Sequence, residues 1–343
     1  MRIFHAADFG NTVGGGFIPM LGALSERLNA RGDSMALAVP AVPGAGWHAE
    51  ARKAGIELHV VANAWEAAHL ARAWQPDIAH VHFFGWELPV TARLWTSRAR
   101  VIWHIHSTSL RIGGAMRTLR TRAKYRIAGA RVSRFVTVSR AIGDEIVALG
   151  APRRRVLAIH NAVDGAHFRA PSDEERAAAR AAYGVDGPAV LFFGREPYIK
   201  GTDVLVGALR EMTPVHVLAV GTPEPLAGVP ERHRVITLPR TRDVRSLYWA
   251  ADALALPSRG EGYSLALIEA ALCGTPIVAS DLPALREGGE GRPAVRLVPP
   301  ADEHALAAGL MEALRSGRAR TQQAPGDDLA SWAERVTSVY DSA

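Results

Sequence analysis

The chain has 343 residues and a formal net charge of +6, and 48% of its residues are hydrophobic, which is enough for about two domains with cores of their own. Its single cysteine, Cys273, excludes an internal disulfide and a cysteine metal cluster, and we interpret it as a small core residue. No run of about 18 apolar residues is present and the N-terminus lacks the apolar segment of a signal peptide, so we expect a cytoplasmic protein without a transmembrane helix.

Short apolar runs alternate with helical patterns through the first half of the chain. The runs predict strands at residues 2–6, 35–39, 57–61, 78–82, 101–106, 135–138 and 156–159. Helical patterns lie between them, at residues 15–31, 65–74, 115–128 and 141–149. This alternation predicts a parallel sheet with helices on both faces.

The pattern begins again after a capping box at residues 172–175. Further strands are predicted at residues 189–193, 215–220, 234–238, 252–256, 276–279 and 295–298, and a last helix follows the break at Pro325. The fold class is therefore α/β, with two Rossmann-like doubly wound domains. We place the first at residues 1–165, joined by a helix at 328–343, and the second at 166–327, with a hinge near 161–171. Because such sheets bind ligands beyond the carboxyl ends of their strands, two that face each other would enclose a cleft.

The segment 258–276 carries the strongest functional signal. Glu261 and Glu269 are eight positions apart, and a Gly-Tyr-Ser turn between them opens a helix. A tight turn that leads into a helix N-terminus favours an anion, whereas a carboxylate inside the helix can accept hydrogen bonds from hydroxyl groups. The pattern predicts a nucleotide whose phosphates meet the helix and whose sugar meets Glu269.

Three other segments add to this signal. Arg195 and Lys200 follow a buried strand and suit a diphosphate, with a surface ion pair as the alternative. Glycines 14–16 follow the first strand and let backbone amides approach a ligand, although the Gly-x-Gly-x-x-Gly fingerprint of dinucleotide sites is absent. His106 lies at the end of a strand, where it would project into the cleft or serve a structural purpose.

Together these motifs resemble the retaining glycosyltransferases of family 4, which have the GT-B fold. The resemblance rests on Gly194-Arg195, on Lys200-Gly201 and on the spacing of Glu261 and Glu269, and it runs nearly the whole length. Segments 76–82, 159–164 and 250–258 also look like family segments in the right order. The resemblance implies a hexosyltransferase-type enzyme that moves a sugar from a nucleoside diphosphate to an acceptor hydroxyl with retention of configuration.

The resemblance also implies roles for the residues of the second domain. Arg195 and Lys200 would neutralise the donor diphosphate, next to Gly194 of the same donor motif. Glu261 would contact the transferred sugar, and Glu269 would hold the ribose hydroxyls.

Further implied roles connect the two domains. The amides of Ser264 and Leu265 would hold the distal phosphate, and Gly15 and Gly16 would close over it. His106 would lie beside the transferred sugar and stabilise charge at the reacting carbon. The chain departs from the family at Ser264 and Ala162, where the family often has glycine, and at Ser107, where it usually has an acidic residue.

No Asp-x-Asp motif occurs in the sequence, so we predict neither a metal nor a cofactor. The co-substrate would be a UDP-sugar or a GDP-sugar, and residues 239–244 would lie near its base. Two alternatives on the same fold are a nucleotide-sugar epimerase and an inactive sugar-nucleotide-binding protein.

The positive charge is concentrated in one block. No Asp or Glu occurs from Leu88 to Gly143, whereas twelve basic residues do: Arg93, Arg98, Arg100, Arg111, Arg117, Arg120, Arg122, Lys124, Arg126, Arg131, Arg134 and Arg140. Such a block suits a small-molecule, glycan or lipid-linked acceptor with negative charge, or peripheral contact with the inner face of an anionic membrane. The alternative without a binding function is a solvated helix face. Nucleic acid is disfavoured because aromatic residues are not interleaved with the basic ones as a stacking platform.

Overall fold

The computed structural model describes residues 1–107, 115–222, 226–241, 243–319, 321 and 326–342. The chain forms two compact units. The first unit contains residues 1–162 and 326–343, and the second contains residues 163–325. Arg111 and Pro325, which the sequence analysis names, lie outside the described residues.

The first unit is built on seven strands. They are β1 (Arg2–Ala7), β2 (Ser34–Pro40), β3 (Glu57–Val61), β4 (Ile78–His82), β5 (Arg100–Ile105), β6 (Val132–Thr137) and β7 (Val156–Ala158). Its helices are α1 (Phe17–Ala30), α2 (Trp47–Lys53), α3 (Ala64–Trp74), α4 (Glu87–Arg93), α5 (Ala115–Ile127), α6 (Arg140–Ala148) and, from the C-terminal segment, α14 (Leu329–Ser342).

The strands of the first unit form one parallel sheet in the order β3-β2-β1-β4-β5-β6-β7. Strands buried on both faces read as continuous apolar runs, which explains why the sequence locates them. The order reverses direction between β1 and β4, and the crevice at such a switch point is the usual ligand site of a doubly wound sheet. His5 of β1 pairs in register with His80 of β4 at this point.

The second unit contains six strands. They are β8 (Ala189–Phe193), β9 (His216–Val220), β10 (Arg234–Leu238), β11 (Ala253–Leu256), β12 (Ile277–Ser280) and β13 (Val295–Val298). Its helices are α7 (Asp173–Ala182), α8 (Pro197–Lys200), α9 (Thr202–Leu209), α10 (Arg245–Ala250), α11 (Leu265–Leu272), α12 (Pro283–Gly289) and α13 (Glu303–Ser316).

The second sheet repeats the topology of the first. Its parallel strands lie in the order β10-β9-β8-β11-β12-β13, so its switch point is between β8 and β11. The two predicted doubly wound α/β sheets are therefore confirmed. The capping box that was predicted before α7 is also present, because Ser172 and Glu175 exchange side-chain and backbone hydrogen bonds.

A glycine fixes the chain at the carboxyl end of β8. Gly201 has φ +70°, and a Cβ at this position would lie 2.0 Å from the carbonyl oxygen of Pro257. Only glycine fits such a close approach and this backbone conformation. The end of α8 is thereby held against the segment that follows β11, which places Lys200 beside residues 258–261.

The C-terminal helix α14 completes the core of the first unit. Its Trp332, Val336 and Tyr340 are buried in one cluster with leucines of α1. Nε of Arg27 on α1 also donates a hydrogen bond to the hydroxyl of Thr337, at 3.0 Å. Full burial of one such apolar side chain contributes about 1.5–3 kcal/mol, so this contact ties the last residues firmly to the sheet of the first unit.

Two short helices of the first unit, α2 and α4, are absent from the sequence prediction, and most helices of the second unit were not predicted individually. Pro89 lies in the first turn of α4, where a missing N–H group removes no intrahelical bond. Among the described residues, no helix is both long and apolar enough to cross a bilayer.

Candidate active site

Lys200 and Glu261 meet at the switch point of the second sheet. Lys200 is the last residue of α8, after β8, and Glu261 follows β11, the neighbouring strand. Nζ of Lys200 lies 2.7 Å from Oε1 of Glu261, and the hydroxyl of Ser258 donates to the same oxygen at 2.8 Å. The Glu261 side chain is only 8% exposed and that of Lys200 27%, so the pair lies where solvent screening is reduced.

Glu269 is the second buried carboxylate of this unit. It lies on α11, and the hydroxyl of Tyr248 on α10 donates a hydrogen bond to its Oε2 at 2.7 Å. Burial raises the pKa of Glu269 to about 7, although the hydrogen bond from Tyr248 acts to lower it. The carboxyl group is therefore close to half-ionised at neutral pH, and it can change from proton donor to acceptor for a hydroxyl ligand.

The N-terminus of α11 lies between these two carboxylates along the chain. Ser264 is the N-cap residue, and its side chain makes no capping hydrogen bond. The first N–H groups of a helix have no intrahelical partner, and together with the helix dipole they favour an anion. Leu265 begins the helix, so the amides of Ser264 and Leu265 have the placement that the sequence analysis assigns to them.

Arg195 and Gly194 follow β8 directly. A Cβ at Gly194 would lie 2.5 Å from the Thr222 side chain, so only glycine allows this approach of β8 to the end of β9. Arg195 is half-exposed and lies 3.3 Å from Glu196, which is a surface ion pair. Such a weak pair leaves the guanidinium able to change partners when an anion arrives.

Arg240 is a cation that the sequence analysis did not single out. It follows β10, and desolvation together with the charge of Arg195 lowers its pKa from the ordinary value. The charge of Arg195 therefore acts on Arg240, and two neighbouring cations form a local field that attracts anions. The sequence feature that could have identified Arg240 is its position two residues after a predicted strand, at the sheet edge where ligands bind.

The glycine loop of the first unit has a defined conformation. Gly15 has φ +51°, with open space where a Cβ would point, and Gly16 is the N-cap of α1. A Cβ at Gly14 would lie 2.8 Å from Ile18 and 2.9 Å from Trp47, so this glycine is required for packing. The loop thus presents backbone atoms of Gly15 and Gly16 at a helix N-terminus, as expected of an anion-binding turn.

His106 lies immediately after β5, in contact with aromatic residues. Its ring stacks on Phe83 with a centroid distance of 4.2 Å, and the ring of Phe17, next to Gly16, meets it edge-on at 5.9 Å. The structure therefore brings the glycine loop and His106 into one neighbourhood of the first unit. Phe83 has φ +63°, which is uncommon for a bulky residue and marks a constrained backbone. Sequence reasoning missed Phe83.

Four more histidines lie on the same face of the first sheet, and no function was predicted for them. His5, His80, His82 and His104 are fully or almost fully buried. Desolvation lowers the pKa of each, as it does for His106, so all five are neutral near pH 7.

Ligand atoms of these histidines come close enough for a metal ion, as do those of an exposed group on the second unit, Glu211, Glu303 and His304. Nitrogens of His5, His80 and His82 lie within 4.8 Å of one another, as do those of His82, His104 and His106. Several of the rings are stacked, however, with an interplanar angle of 25° between His80 and His82. The lone pair of an imidazole nitrogen lies in the plane of its ring, so nearly parallel rings do not direct three lone pairs at one central ion. The nitrogens of His5, His82 and His106 form hydrogen bonds with one another instead.

The basic block is partly structural. Nζ of Lys124 lies 2.7 Å from the buried carboxylate of Glu87. The Arg131 guanidinium donates to the carbonyl oxygens of Leu94, Trp95, Ser97 and Ala99. These two cations stabilise the fold, whereas Arg120, Arg122 and Arg126 are exposed on α5.

Comparisons with known proteins identify the family of the chain. Residues 15–167 match the model of Glycosyltransferase Family 4, and residues 187–316 match that of Glycosyl transferases group 1. A D-inositol 3-phosphate glycosyltransferase of Mycolicibacterium gilvum is 36% identical over 208 residues, which cover 54% of this chain and 45% of that protein. The chain thus spans about half the length of this curated relative. The enzyme of the same name from Streptomyces bingchenggensis is 32% identical over 335 residues, covering 83% of this chain and 70% of that protein.

The chain belongs to glycosyltransferase family 4.

This family 4 glycosyltransferase has the GT-B fold. The crystal structure of Anabaena HepE in complex with UDP and glucose superposes with a TM-score of 0.80 at 17% identity, and each chain is covered completely. The fold and the enzyme class that the sequence predicts are therefore confirmed.

Proposed function

We propose that this glycosyltransferase moves a sugar from a nucleoside diphosphate to an acceptor hydroxyl, with retention of configuration and without a metal ion. One observation carries the proposal: the Lys200–Glu261 pair lies at the switch point of the second sheet, next in the chain to the N-terminus of α11. A cation, a carboxylate and a helix N-terminus at one sheet edge are the groups that a sugar diphosphate needs.

The donor would bind to the second unit through its diphosphate. Lys200 and Arg195 supply positive charge, and the amides of Ser264 and Leu265 supply hydrogen-bond donors at the helix N-terminus. Glu269 then accepts hydrogen bonds from the ribose hydroxyls. The HepE structures contain UDP and UDP-glucose, which favours UDP over GDP as the donor nucleotide.

The main catalytic task is to stabilise the leaving nucleoside diphosphate. The bond from the anomeric carbon to the phosphate oxygen breaks, and the bond to the acceptor oxygen forms on the same face of the sugar. The departing phosphate oxygen takes the proton of the acceptor hydroxyl. Lys200, Arg195 and the dipole of α11 stabilise the negative charge as it develops, and this electrostatic contribution is commonly the largest in such reactions. Glu261 orients the transferred sugar. Gly15, Gly16 and His106 of the first unit are the further donor-binding and catalytic residues of the proposal.

The acceptor is proposed to be a phosphorylated polyol. The relatives are named D-inositol 3-phosphate glycosyltransferases, and the first unit carries exposed arginines without nearby acidic residues in the sequence. Arginine is well suited to a phosphate group because its planar fork donates two parallel hydrogen bonds.

A lipid-linked acceptor is the second candidate, and the surface of α5 favours it. Met116, Leu119 and Ile127 are 64%, 62% and 70% exposed, whereas Tyr125 on the opposite side of the helix is buried. The exposed apolar residues lie within one arc of the helix, beside exposed arginines. This combination is typical of helices that lie in the interface of an anionic membrane.

Product analysis tests the proposal. The enzyme is incubated with UDP-sugars or GDP-sugars and inositol 3-phosphate in excess EDTA, and the product is examined by NMR for its anomeric configuration. We expect a glycosylated acceptor with the configuration of the donor. Conversion of the sugar nucleotide without an acceptor would instead indicate an epimerase, and binding without any turnover would indicate an inactive binding protein.

A further inference from the structure

A continuous chain of hydrogen bonds runs through the buried histidines of the first unit. Nε2 of His106 lies 3.1 Å from Nδ1 of His82, and Nε2 of His82 lies 2.8 Å from Nδ1 of His5. Nε2 of His5 then lies 3.3 Å from the hydroxyl of Tyr340, which lies 2.7 Å from Nδ1 of His80. The chain begins at the predicted catalytic site and ends on the C-terminal helix α14.

In each contact of this chain, one of the two groups must donate the hydrogen bond and the other must accept it. A neutral imidazole carries one N–H and one bare nitrogen, and a tyrosine hydroxyl carries one proton. Burial keeps these imidazoles neutral near pH 7, so none of them has two N–H groups there. Choosing the donor in one contact therefore determines the donor in the next contact across each imidazole. The Tyr340 oxygen has two lone pairs, so it can also accept two hydrogen bonds at once.

Three proton arrangements satisfy all four contacts, because the Tyr340 hydroxyl can donate to His5, donate to His80 or accept from both. If the Tyr340 hydroxyl donates to His5, then His5 donates through Nδ1 to His82 and His82 donates through Nδ1 to His106. His106 then keeps its own proton on Nδ1, and His80 donates through Nδ1 to Tyr340. If the hydroxyl donates to His80 instead, every histidine carries its proton on Nε2. If the hydroxyl accepts from both, His80 carries its proton on Nδ1 and the other three histidines carry theirs on Nε2.

We propose that His5, His80, His82 and His106 share one tautomeric state, and that Tyr340 is the positioning residue that holds them in it. In either state Nε2 of His106 is occupied by His82, so Nδ1 is the nitrogen that meets a ligand. The tautomer decides whether Nδ1 of His106 offers a proton or a lone pair to the ligand. In histidine sites the tautomer is set by the hydrogen bond that the other ring nitrogen makes.

The end of the chain favours the Nδ1–H state. Nε2 of His80 is buried and has no hydrogen-bond partner among the described residues. In the Nε2–H state it would be an N–H donor without an acceptor, whereas in the Nδ1–H state it is a bare lone pair. In the arrangement where Tyr340 accepts from both histidines, its own proton would have no acceptor among its contacts with the described residues. Orphaned donors are rarer than orphaned acceptors in protein interiors, so the arrangement with every histidine in the Nδ1–H state is favoured. His106 would then present an N–H group to an oxygen of its ligand.

NMR of the protein with 15N-labelled histidine tests the proposal without any turnover. Long-range 1H–15N spectra distinguish Nδ1–H from Nε2–H imidazoles. We expect the four histidines in one common tautomer, and a mixture of tautomers among them would overturn the proposal. In Tyr340→Phe, we expect the tautomer of His80 to become independent of the other three, whereas Tyr125→Phe, at a buried tyrosine of the same unit outside the chain, should leave the spectra unchanged.

A second variant covers the case in which Tyr340→Phe fails to fold. His82→Gln interrupts the chain on the other side of His5, and we expect only His106 to change its signature while His5 and His80 remain coupled through Tyr340. A change in all three, or in none, would contradict the proposed connectivity.

A kinetic arm rests on the proposed function. Because loss of one hydrogen bond corresponds to about a tenfold change in rate, kcat should fall about tenfold in Tyr340→Phe while KM for the donor stays within about twofold. If NMR shows one common tautomer and kcat is unchanged in Tyr340→Phe, the histidines share a tautomeric state, but this state has no effect on sugar transfer. If no transfer is found in the parent protein, the proposed function fails and the NMR result stands by itself.

Discussion

The Nζ atom of Lys200 lies 2.7 Å from Oε1 of Glu261 across the switch point of the second sheet. The two residues are 61 positions apart, and two neighbouring parallel strands bring them together. In the absence of a donor they neutralise each other. A diphosphate that recruits Lys200 would free the carboxylate of Glu261 to contact the sugar.

Replacement of this lysine tests the diphosphate assignment. In Lys200→Ala, kcat/KM should fall by about 10²–10³-fold, because a cation aimed at developing negative charge is lost. The melting temperature should fall by about 2–4 °C for each kcal/mol of stability that the lost ion pair contributed. The variant should therefore remain folded at the temperature of the assay, and the loss of turnover should not result from unfolding. The matched control is Arg296→Ala, which removes an exposed ion pair to Glu312 in the same unit. Unchanged turnover in Lys200→Ala, or an equal loss in the control, would contradict the assignment.

Nucleotide binding should depend on pH through Glu269. Burial raises its pKa to about 7, and only the ionised form accepts hydrogen bonds from both ribose hydroxyls. The ionised fraction of such a group grows from about one tenth at pH 6 to about nine tenths at pH 8, so the affinity for UDP should rise up to about ninefold over this range. Titration calorimetry at several pH values measures this, and Glu269→Gln should give a flat profile.

Tyr248→Phe provides the second arm of that experiment. Its hydroxyl hydrogen bond lowers the pKa of Glu269, so its removal should raise the pKa and move the midpoint of the binding curve to higher pH. Tyr183→Phe, which loses a hydrogen bond to Ser246 in the same unit, is the control and should leave the midpoint in place. A shift of the binding midpoint to lower pH in Tyr248→Phe would show that the Tyr248 hydroxyl raises the pKa of Glu269, which contradicts the prediction.

The buried histidines should make the protein labile in acid. The folded-state pKa of each lies below its ordinary value, with His5 and His104 at about 3. The unfolded chain therefore binds protons below about pH 6.5 that the folded chain excludes, and the free energy of unfolding falls as the pH falls. The raised pKa of Glu269 increases the free energy of unfolding as the pH falls from about 7 to 4.5. This is the contribution of one group, whereas five buried histidines act in the opposite direction.

His104→Leu should reduce this acid lability. Both ring nitrogens of His104 are buried without a hydrogen-bond partner among the described residues, so leucine replaces a desolvated polar ring by an apolar side chain. Between pH 6.5 and pH 5, the loss of unfolding free energy should be smaller by about 2 kcal/mol than in the parent protein. Urea unfolding at both pH values measures it. His69→Leu on the exposed face of α3 is the control, and equal pH dependence in all three proteins would refute the account.

The surface of α5 should bind anionic vesicles if the lipid-linked acceptor is correct. The protein should float with vesicles that contain phosphatidylglycerol at low salt, and binding should weaken at high salt because the arginines are screened. The double variant Leu119→Asp with Ile127→Asp should lose most of this binding. Leu88→Asp, at an exposed leucine of α4, is the control. No flotation of the parent protein at low salt would leave the soluble polyol phosphate as the acceptor.

Much of the fold could be predicted because both sheets are parallel. Strands such as β8 and β11 are buried on both faces and appear as unbroken apolar runs, and the polar residues that follow them mark the sheet edge where ligands bind. The sequence therefore located Lys200 and Glu261 near the ends of neighbouring strands. It could not show that they pair with each other, because their distance depends on how Gly201 holds α8 against the segment after β11.

Other features required three-dimensional proximity that no local pattern encodes. Tyr248 lies 21 positions before Glu269, and its hydroxyl reaches the carboxylate only because α10 and α11 pack together. Tyr340 and His5 are 335 positions apart, at opposite ends of the first unit's sequence. A histidine in a strand reads as an isolated polar residue, and only the register of β1, β4 and β5 shows that five of them share one face.

Binding of nucleotides to the parent protein tests the central claim most directly. Titration calorimetry with UDP, GDP, ADP and dTDP in EDTA would be compared between the parent protein and Lys200→Ala. The account predicts selective binding of one nucleoside diphosphate, UDP first, without any metal, and a clear loss of affinity in the variant. Absence of binding by all four nucleotides to the folded parent protein, or binding that appears only when a divalent cation is added, would contradict it.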